Sequence, residues 1–86
     1  MRKAKRKSTS PKSTRAVDKY IGKRMRECRL ALHMGQAEIA SILGVSFQQI
    51  QKYEKGLNRV SAARLFDICK VLNVSLSSMF ERDPTA

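Results

Sequence analysis

The stretch from Gln36 to Lys55, QAEIASILGVSFQQIQKYEK, has the pattern of two short helices joined by a tight turn. Its apolar residues recur at helical spacing until Gly44 interrupts them. A glycine at this point predicts a left-handed helix cap, because glycine has no Cβ to clash in that conformation. Ser46 and, three residues later, Gln49 form a Ser-x-x-Gln capping box, which predicts the start of the second helix.

The second predicted helix has two chemically different faces. Ile50 and Tyr53 are spaced to face inward, and Ala40 is small where the two helices must cross closely. The residues at the start and on the outer face of this helix are needed neither for the core nor for the caps. We predict that these residues, Phe47, Gln48, Gln51 and Lys52, form the surface with which the protein recognises its binding partner.

The spacing of Ala40, Gly44 and Ile50 is that of the helix-turn-helix motif, and the run from about Ile21 to Phe80 resembles the Cro/repressor type of DNA-binding domain. Domains of this type occur in phage repressors and many bacterial regulators. The resemblance does not extend to residues 1–17. It implies an all-α fold, a compact five-helix bundle of the lambda-repressor-like type.

Apolar stripes predict the remaining helices. The first should run from about Asp18 to Leu32 with an inward stripe comprising Val17, Ile21, Met25, Cys28 and Leu32. On its opposite face we expect a mostly solvated set of basic residues, namely Lys19, Lys23, Arg24 and Arg26. The fourth should begin after Ser61, with an inward stripe of Leu65, Ile68, Cys69 and Leu72. A short fifth helix should follow Ser75 and carry Leu76, Met79 and Phe80.

Three further residues are predicted at helix ends. His33 should adopt the left-handed conformation after helix 1, and Asn73 should do the same after helix 4. Gly35 should be the N-cap of helix 2, where glycine is only slightly inferior to a polar residue.

The chain has 86 residues and a formal net charge of +11, so a single small domain and a polyanionic partner are expected. Residues 1–17 carry seven Lys or Arg and no acid, with no apolar periodicity, and we predict a disordered basic N-terminal arm. The arm either contacts DNA, along the phosphate backbone or in a minor groove, or merely solubilises the chain, and the sequence favours neither role. The domain should span residues 18–82, with a C-terminal tail at 83–86.

Composition argues against several other classes of protein. No apolar run approaches the ~20 residues of a membrane span, and the N-terminus lacks a signal peptide's apolar stretch, so we expect an intracellular protein. The family resemblance further implies a bacterial cytoplasmic, nucleoid-associated protein. Two cysteines and one histidine cannot supply four zinc ligands within one chain. Free, core-packed thiols are favoured for Cys28 and Cys69, with a disulfide as the minor alternative. We expect no enzyme activity, cofactor, metal or small-molecule substrate.

The resemblance also implies which residues contact DNA. The residues that match the family's base-reading positions are Ser46, Phe47, Gln48, Gln51 and Lys52. Phosphate contacts should come from Gln36 at the start of helix 2 and from the loop at Asn58 and Arg59. Arg29 and Glu54 match positions that form an ion pair between helices 1 and 3 in several phage repressors, so we expect a structural role for them.

The same resemblance implies a homodimer on a pseudo-palindromic operator in double-stranded DNA, with half-sites ~34 Å apart. Candidate interface residues are Leu57, Val60, Met79 and Phe80, although core closure is the alternative for each and is favoured for Phe80. The implied function is a sequence-specific transcriptional regulator, with repression favoured over activation. Two alternatives stay open, namely the antitoxin of a toxin–antitoxin pair and a module that bridges proteins.

Overall fold

The structure, a computed structural model, describes the backbone of residues 11–80 and the side chains of residues 16–80. Within that range the chain forms four α-helices, α1 (Pro11–Ala31), α2 (Gln36–Leu43), α3 (Phe47–Glu54) and α4 (Ala62–Leu72), followed by a 3₁₀ helix (Leu76–Phe80). Residues 11–80 contain no strand. The predicted all-α class is confirmed, and the fifth helical segment is a 3₁₀ helix rather than an α-helix.

The first helix begins earlier than its capping pattern predicts. It starts at Pro11 instead of Asp18 and so extends into the predicted N-terminal arm. Proline is well suited to the first position of a helix, because the N–H that it lacks would have no partner there. Residues 1–10 of the predicted arm and residues 81–86, including the predicted tail, lie outside the described residues.

The predicted helix ends are confirmed where the structure describes them. Gly44, His33 and Asn73 all adopt the left-handed conformation, with φ angles of 73°, 56° and 57°. Gly35 is the extended N-cap of α2 and makes no side-chain bond there. These caps set the direction in which the chain leaves one helix and enters the next.

Serine hydroxyls cap the two helices for which they were predicted. The Ser46 Oγ accepts a hydrogen bond from the Gln49 backbone N–H at 3.0 Å, which forms the serine half of the capping box. The Ser61 Oγ accepts the equivalent bond from the Arg64 N–H at 3.1 Å. Each bond satisfies a backbone donor that has no partner inside its own helix.

The core is formed by residues from all five helical segments. Buried hydrophobic residues of this cluster are Ile21, Met25, Ile39, Ala40, Ile50, Tyr53, Leu65, Ile68, Cys69, Leu72 and Met79. The predicted stripe of α4 is buried in full. Along α1, Val17 and Cys28 pack against the cluster while remaining partly exposed.

Three predictions about apolar residues need correction. Leu32 is 46% exposed rather than inward-facing, because α1 ends at Ala31 and the left-handed turn at His33 directs the chain away from the stripe. Phe80, for which core closure was favoured, is 41% exposed. Met79, a candidate for the dimer interface, is instead fully buried in the core.

Both cysteines are free thiols, as favoured from the sequence. Burial raises the pKa of the Cys69 thiol, and the nearby Cys28 raises it further. None of the helices described between residues 11 and 80 combines the length and the apolar character that crossing a bilayer requires.

Candidate nucleic-acid interface

Helix α3 has one buried face and one exposed face. Ile50, Tyr53 and Glu54 are buried against the rest of the domain. The predicted base-reading residues lie on the other side, where Ser46, Phe47, Gln48 and Lys52 are exposed and Gln51 is partly exposed. At 3.6 residues per turn, the four helical members of this set fall within an arc of about 140°. We call these five residues the α3 outer face.

The turn between α2 and α3 is held by backbone hydrogen bonds. The Gly44 N–H donates to the Ser41 carbonyl at 3.3 Å, and the Val45 N–H donates to the Ala40 carbonyl at 3.0 Å. This pair of bonds closes the left-handed helix end and fixes the angle at which the chain leaves α2. The α3 outer face is therefore presented by a tight connection rather than by a flexible loop.

A long side chain from α4 adds a second tie at the same turn. The Arg64 Nη1 donates to the Leu43 carbonyl at 3.2 Å, which gives a partner to a carbonyl that the end of α2 leaves unpaired. Arg64 therefore connects α4 to the helix-turn-helix pair.

Helices α1 and α3 approach each other at Gly22. A Cβ built on Gly22 would contact the Tyr53 carbonyl oxygen and would lie 2.7 Å from the Glu54 carbonyl oxygen. No side chain fits between these backbones, so glycine allows the end of α3 to lie directly on α1. Sequence reasoning missed this contact, although a glycine inside a helical stripe is the signal for one.

A buried ion pair joins α1 to the same end of α3. The Arg29 Nε donates to Glu54 Oε2 at 2.6 Å and the Nη2 donates to Oε1 at 2.9 Å, while Nη1 donates to the Met34 carbonyl at 2.8 Å. Arg29 is 6% exposed and Glu54 is 9% exposed. The hydrogen bond to Glu54 raises the pKa of Arg29 despite the opposing effect of burial. The structural ion pair expected from the sequence is confirmed.

Gln36, a predicted phosphate-contacting residue, is the first residue of α2 and belongs to the same network. Its Nε2 donates to Glu54 Oε1 at 2.9 Å. An amide nitrogen has two hydrogens and this bond uses one of them. The remaining N–H and the amide oxygen are thus held at the N-terminus of α2, where backbone N–H groups favour an anion.

The other predicted phosphate-contacting residues lie in the loop that follows α3. Arg59 has a side chain that is 70% exposed and comes within 3.9 Å of Asp18 on α1, measured from Nε to Oδ2. Asn58 is partly exposed. Because Gln36 contacts Glu54 and this loop begins just after Glu54, both predicted phosphate-contacting regions adjoin the C-terminal end of α3.

Another arginine outside the predicted site connects α1 to the 3₁₀ helix. Arg24, predicted to lie on a mostly solvated face, donates from Nη2 and Nε to the Ser78 carbonyl at 2.9 and 3.3 Å. It also pairs with Glu27 at 3.0 Å. Sequence patterns gave no signal for this long-range contact between α1 and the 3₁₀ helix.

Other kinds of site find little support in the described part of the chain. Among residues 16–80, no group of three or more His, Cys, Asp or Glu side chains could hold a metal ion. An open cavity of about 220 Å³ lies between α2 and α4, lined by Ile42, Leu43, Asp67, Lys70 and Val71. None of these five residues belongs to the predicted DNA contacts.

Comparisons with known proteins match most of the segment that forms these helices. A family model described as helix-turn-helix matches residues 25–79, a range that includes every predicted DNA-contacting residue. The chain is 53% identical over 64 residues to an uncharacterized transcriptional regulator in the ATPase CF(0) region of Rhodospirillum rubrum, covering 74% of this chain and 59% of that protein. It is 48% identical over 73 residues to an uncharacterized HTH-type transcriptional regulator of Sinorhizobium medicae, covering 85% and 52%.

A more distant relative is antitoxin PezA of Streptococcus pneumoniae, which is 33% identical over 63 residues, covering 73% of this chain and 40% of that protein. This chain therefore spans only about half the length of the curated relatives that it matches.

Proposed function

This chain belongs to the Cro/repressor-type family of helix-turn-helix DNA-binding domains, and on that premise we propose that it regulates transcription by binding a specific sequence in double-stranded DNA. The observation that carries the proposal is the division of α3 into a buried face and an exposed face of groups able to bind bases. The major groove admits an α-helix and presents a different donor and acceptor pattern for each base pair.

The side chains of the α3 outer face favour particular bases. Gln48 offers the paired donor and acceptor that match adenine N6 and N7, and Lys52 offers donors for guanine O6 and N7. Phe47, 43% exposed, provides an apolar surface for a thymine methyl group. Each of the two polar contacts is worth ~1–3 kcal/mol of discrimination against a wrong base. Ser46 and Gln51 complete the proposed reading surface.

Phosphate contacts would fix the position of α3 in the groove. Gln36 has an N–H left over from its bond to Glu54, and the backbone at the start of α2 adds further donors. Arg59 supplies a largely exposed guanidinium from the loop after α3, with Asn58 beside it in sequence. These contacts add affinity and set the register without selecting a sequence.

We further propose that the protein binds as a homodimer to a pseudo-palindromic operator, because one small domain reads few base pairs. Leu57 is 67% exposed and Phe80 is 41% exposed, so both are available to a second copy. Val60 packs partly against the core, and the buried Met79 is no longer a candidate. Sedimentation that finds one protein per operator duplex would contradict the dimer.

Repression is the favoured outcome of binding, since a small domain on a promoter blocks access to it without further machinery. The direct test of this step is transcription in vitro from a promoter that carries the operator. Added protein should reduce transcript yield, and an increase would show activation instead.

The test of the function is selection of bound sequences from random duplexes at a stated salt concentration. We expect a short two-fold symmetric consensus for the wild type, whereas Gln48→Ala and Lys52→Ala should each lose base preference at defined positions. Lys70→Ala is the matched control, because Lys70 is an exposed residue on α4. Equal recovery of all sequences would refute the proposal.

The similarity to antitoxin PezA supports a second candidate, in which this domain also masks a toxin. That function predicts a toxin reading frame beside this one and a stable complex of the two products. A third candidate, a module that bridges proteins without DNA, predicts that Gln48→Ala and Lys52→Ala leave activity unchanged.

A further inference from the structure

One face of α1 carries a line of basic residues that the proposed reading of bases does not use. Lys19, Lys23 and Arg26 are exposed and are spaced four and three residues apart, so they lie along one side of the helix. We call these three residues the α1 ridge. The sequence continues the same spacing toward the start of α1 with Arg15 and Lys12.

Acidic side chains do not neutralise the ridge within residues 16–80. The two acids of α1 have other partners, since Glu27 pairs with Arg24 and Asp18 lies near Arg59. Charge concentrated on one side of a helix favours a polyanion over a small acidic ligand. From Lys19 to Arg26 the helix rises about 10 Å, close to the axial rise of three phosphate-to-phosphate steps of ~3.4 Å along one DNA strand.

The ridge begins next to a region already proposed to contact DNA. A Cβ built on Gly56 would lie 2.6 Å from the Lys19 Cα, so the backbone after α3 rests directly on α1 at that residue. Asp18 lies within 3.9 Å of Arg59 in the same loop. The ridge is therefore continuous with the proposed phosphate contacts at Asn58 and Arg59.

We propose that the α1 ridge binds the phosphate backbone of DNA that flanks the base pairs read by α3. This inference rests on the proposed function and extends it, because part of the protein's affinity would then come from contacts with DNA outside the recognised sequence. Because α1 starts at Pro11, the helix extends on the N-terminal side of Lys19, where the sequence contains further basic residues. Contacts of this kind are independent of sequence and strongly dependent on salt.

The experiment compares two duplexes, the selected operator alone and the same operator extended on each side by about 10 bp of unrelated sequence, roughly one helical turn. The wild type should bind the extended duplex more tightly and with a steeper dependence on salt. Lys19→Gln/Lys23→Gln/Arg26→Gln should lose this gain, and its salt slope should fall by up to about 2.7, at 0.9 per phosphate contact.

Two single variants provide a matched pair, because each removes one exposed lysine from a helix. When the salt is raised from 50 to 200 mM, Lys23→Gln should lose roughly threefold less affinity for the extended duplex than the wild type loses, because the variant makes one phosphate contact fewer. Lys70→Gln on α4 should leave affinity unchanged. Circular dichroism and the unfolding midpoint should match the wild type for all variants, since the replaced residues are exposed.

The outcomes separate the ridge from the proposed function. Gln48→Ala should lose base preference but keep the gain from flanking DNA. If the wild type prefers its operator but gains nothing from the flanks, or if the triple variant keeps the gain, the ridge proposal is wrong and base reading stands.

If the wild type shows no base preference, the proposed function fails. The ridge then still predicts a lower salt slope for the triple variant on long duplexes, and an unchanged slope would overturn it. Binding to phosphatidylglycerol vesicles is the remaining comparison. A triple variant that loses vesicle binding but binds DNA like the wild type would assign the ridge to a membrane surface and overturn the proposal.

Discussion

The two faces of α3 differ in what their residues contact and therefore in what substitutions should do. The buried face holds Ile50, Tyr53 and Glu54 against α1 and α2, through core packing and the ion pair with Arg29. The outer face makes few contacts within the domain. The position of α3 is thus set by its buried residues, and on the proposed function base preference depends on its outer residues, so stability and base preference can be changed separately.

The largest effect should come from breaking the ion pair. Arg29→Ala or Glu54→Ala leaves a buried charge without its partner and should destabilise the fold by about 3–5 kcal/mol. That is a large part of the free energy of unfolding of a typical small domain, which is ~5–15 kcal/mol. Urea unfolding measures the change, with Asp67→Ala on the exposed side of α4 as the control. A loss below ~1 kcal/mol would show that the pair does not anchor α3.

The next largest loss of stability should come from a substitution at Gly22, where α1 and α3 approach each other closely. Gly22→Ala would normally stabilise a helix by ~1 kcal/mol, but here the added methyl group meets the carbonyls of Tyr53 and Glu54. We expect a net loss of about 1–3 kcal/mol as the backbones separate. Thermal unfolding gives the sign, and increased stability would contradict the direct backbone contact.

A substitution at Gly44, in the turn before α3, should cause a smaller loss of stability, and backbone strain rather than a steric clash should cause it. A Cβ on Gly44 meets no atom within 4 Å, so Gly44→Ala tests only the left-handed φ of 73° and should cost about 1–2 kcal/mol. Gly44→Asn should cost less, because asparagine tolerates this conformation, as Asn73 does at the end of α4. Equal losses for the two variants in urea unfolding would argue against backbone strain.

The smallest effect should be a gain in stability. Gly35 caps α2 without a side-chain bond and has open space around it. Gly35→Ser adds an acceptor for a free N–H of α2 and should stabilise the domain by a few tenths of a kcal/mol. The midpoint of thermal unfolding should rise slightly, and a lower midpoint would show that the cap geometry differs from that of Ser46 and Ser61.

Local patterns predicted most of what positions the site. The cap at Gly44, the serine caps and the burial of Ile50 depend on residues close in sequence, where spacing alone is informative. The Arg29–Glu54 pair was expected only through the family resemblance. The division of α3 into two faces followed from helical periodicity, because the core covers one side of a helix and leaves the other exposed.

Contacts between distant segments were not predictable in this way. Arg24 reaches the Ser78 carbonyl and Arg64 reaches the Leu43 carbonyl, although nothing in the sequence marks these side chains as different from solvated ones. Gly22 within the stripe of α1 signals a close approach, but its partners are backbone carbonyls, so the sequence does not identify the segment that approaches. The start of α1 at Pro11 was not predicted, because residues 11–16 are charged and rich in Ser and Thr and have no apolar periodicity to mark them as helical.

The proposal that the α3 outer face reads bases is tested most directly by measuring both base preference and stability for one pair of variants. Gln48→Ala and Lys52→Ala should each flatten the preference at one position of every half-site, weakening discrimination there by about 5- to 150-fold, which corresponds to ~1–3 kcal/mol. Their urea unfolding should stay within about 0.5 kcal/mol of the wild type. Unchanged preference at every position in both variants would show that the outer face of α3 does not read DNA.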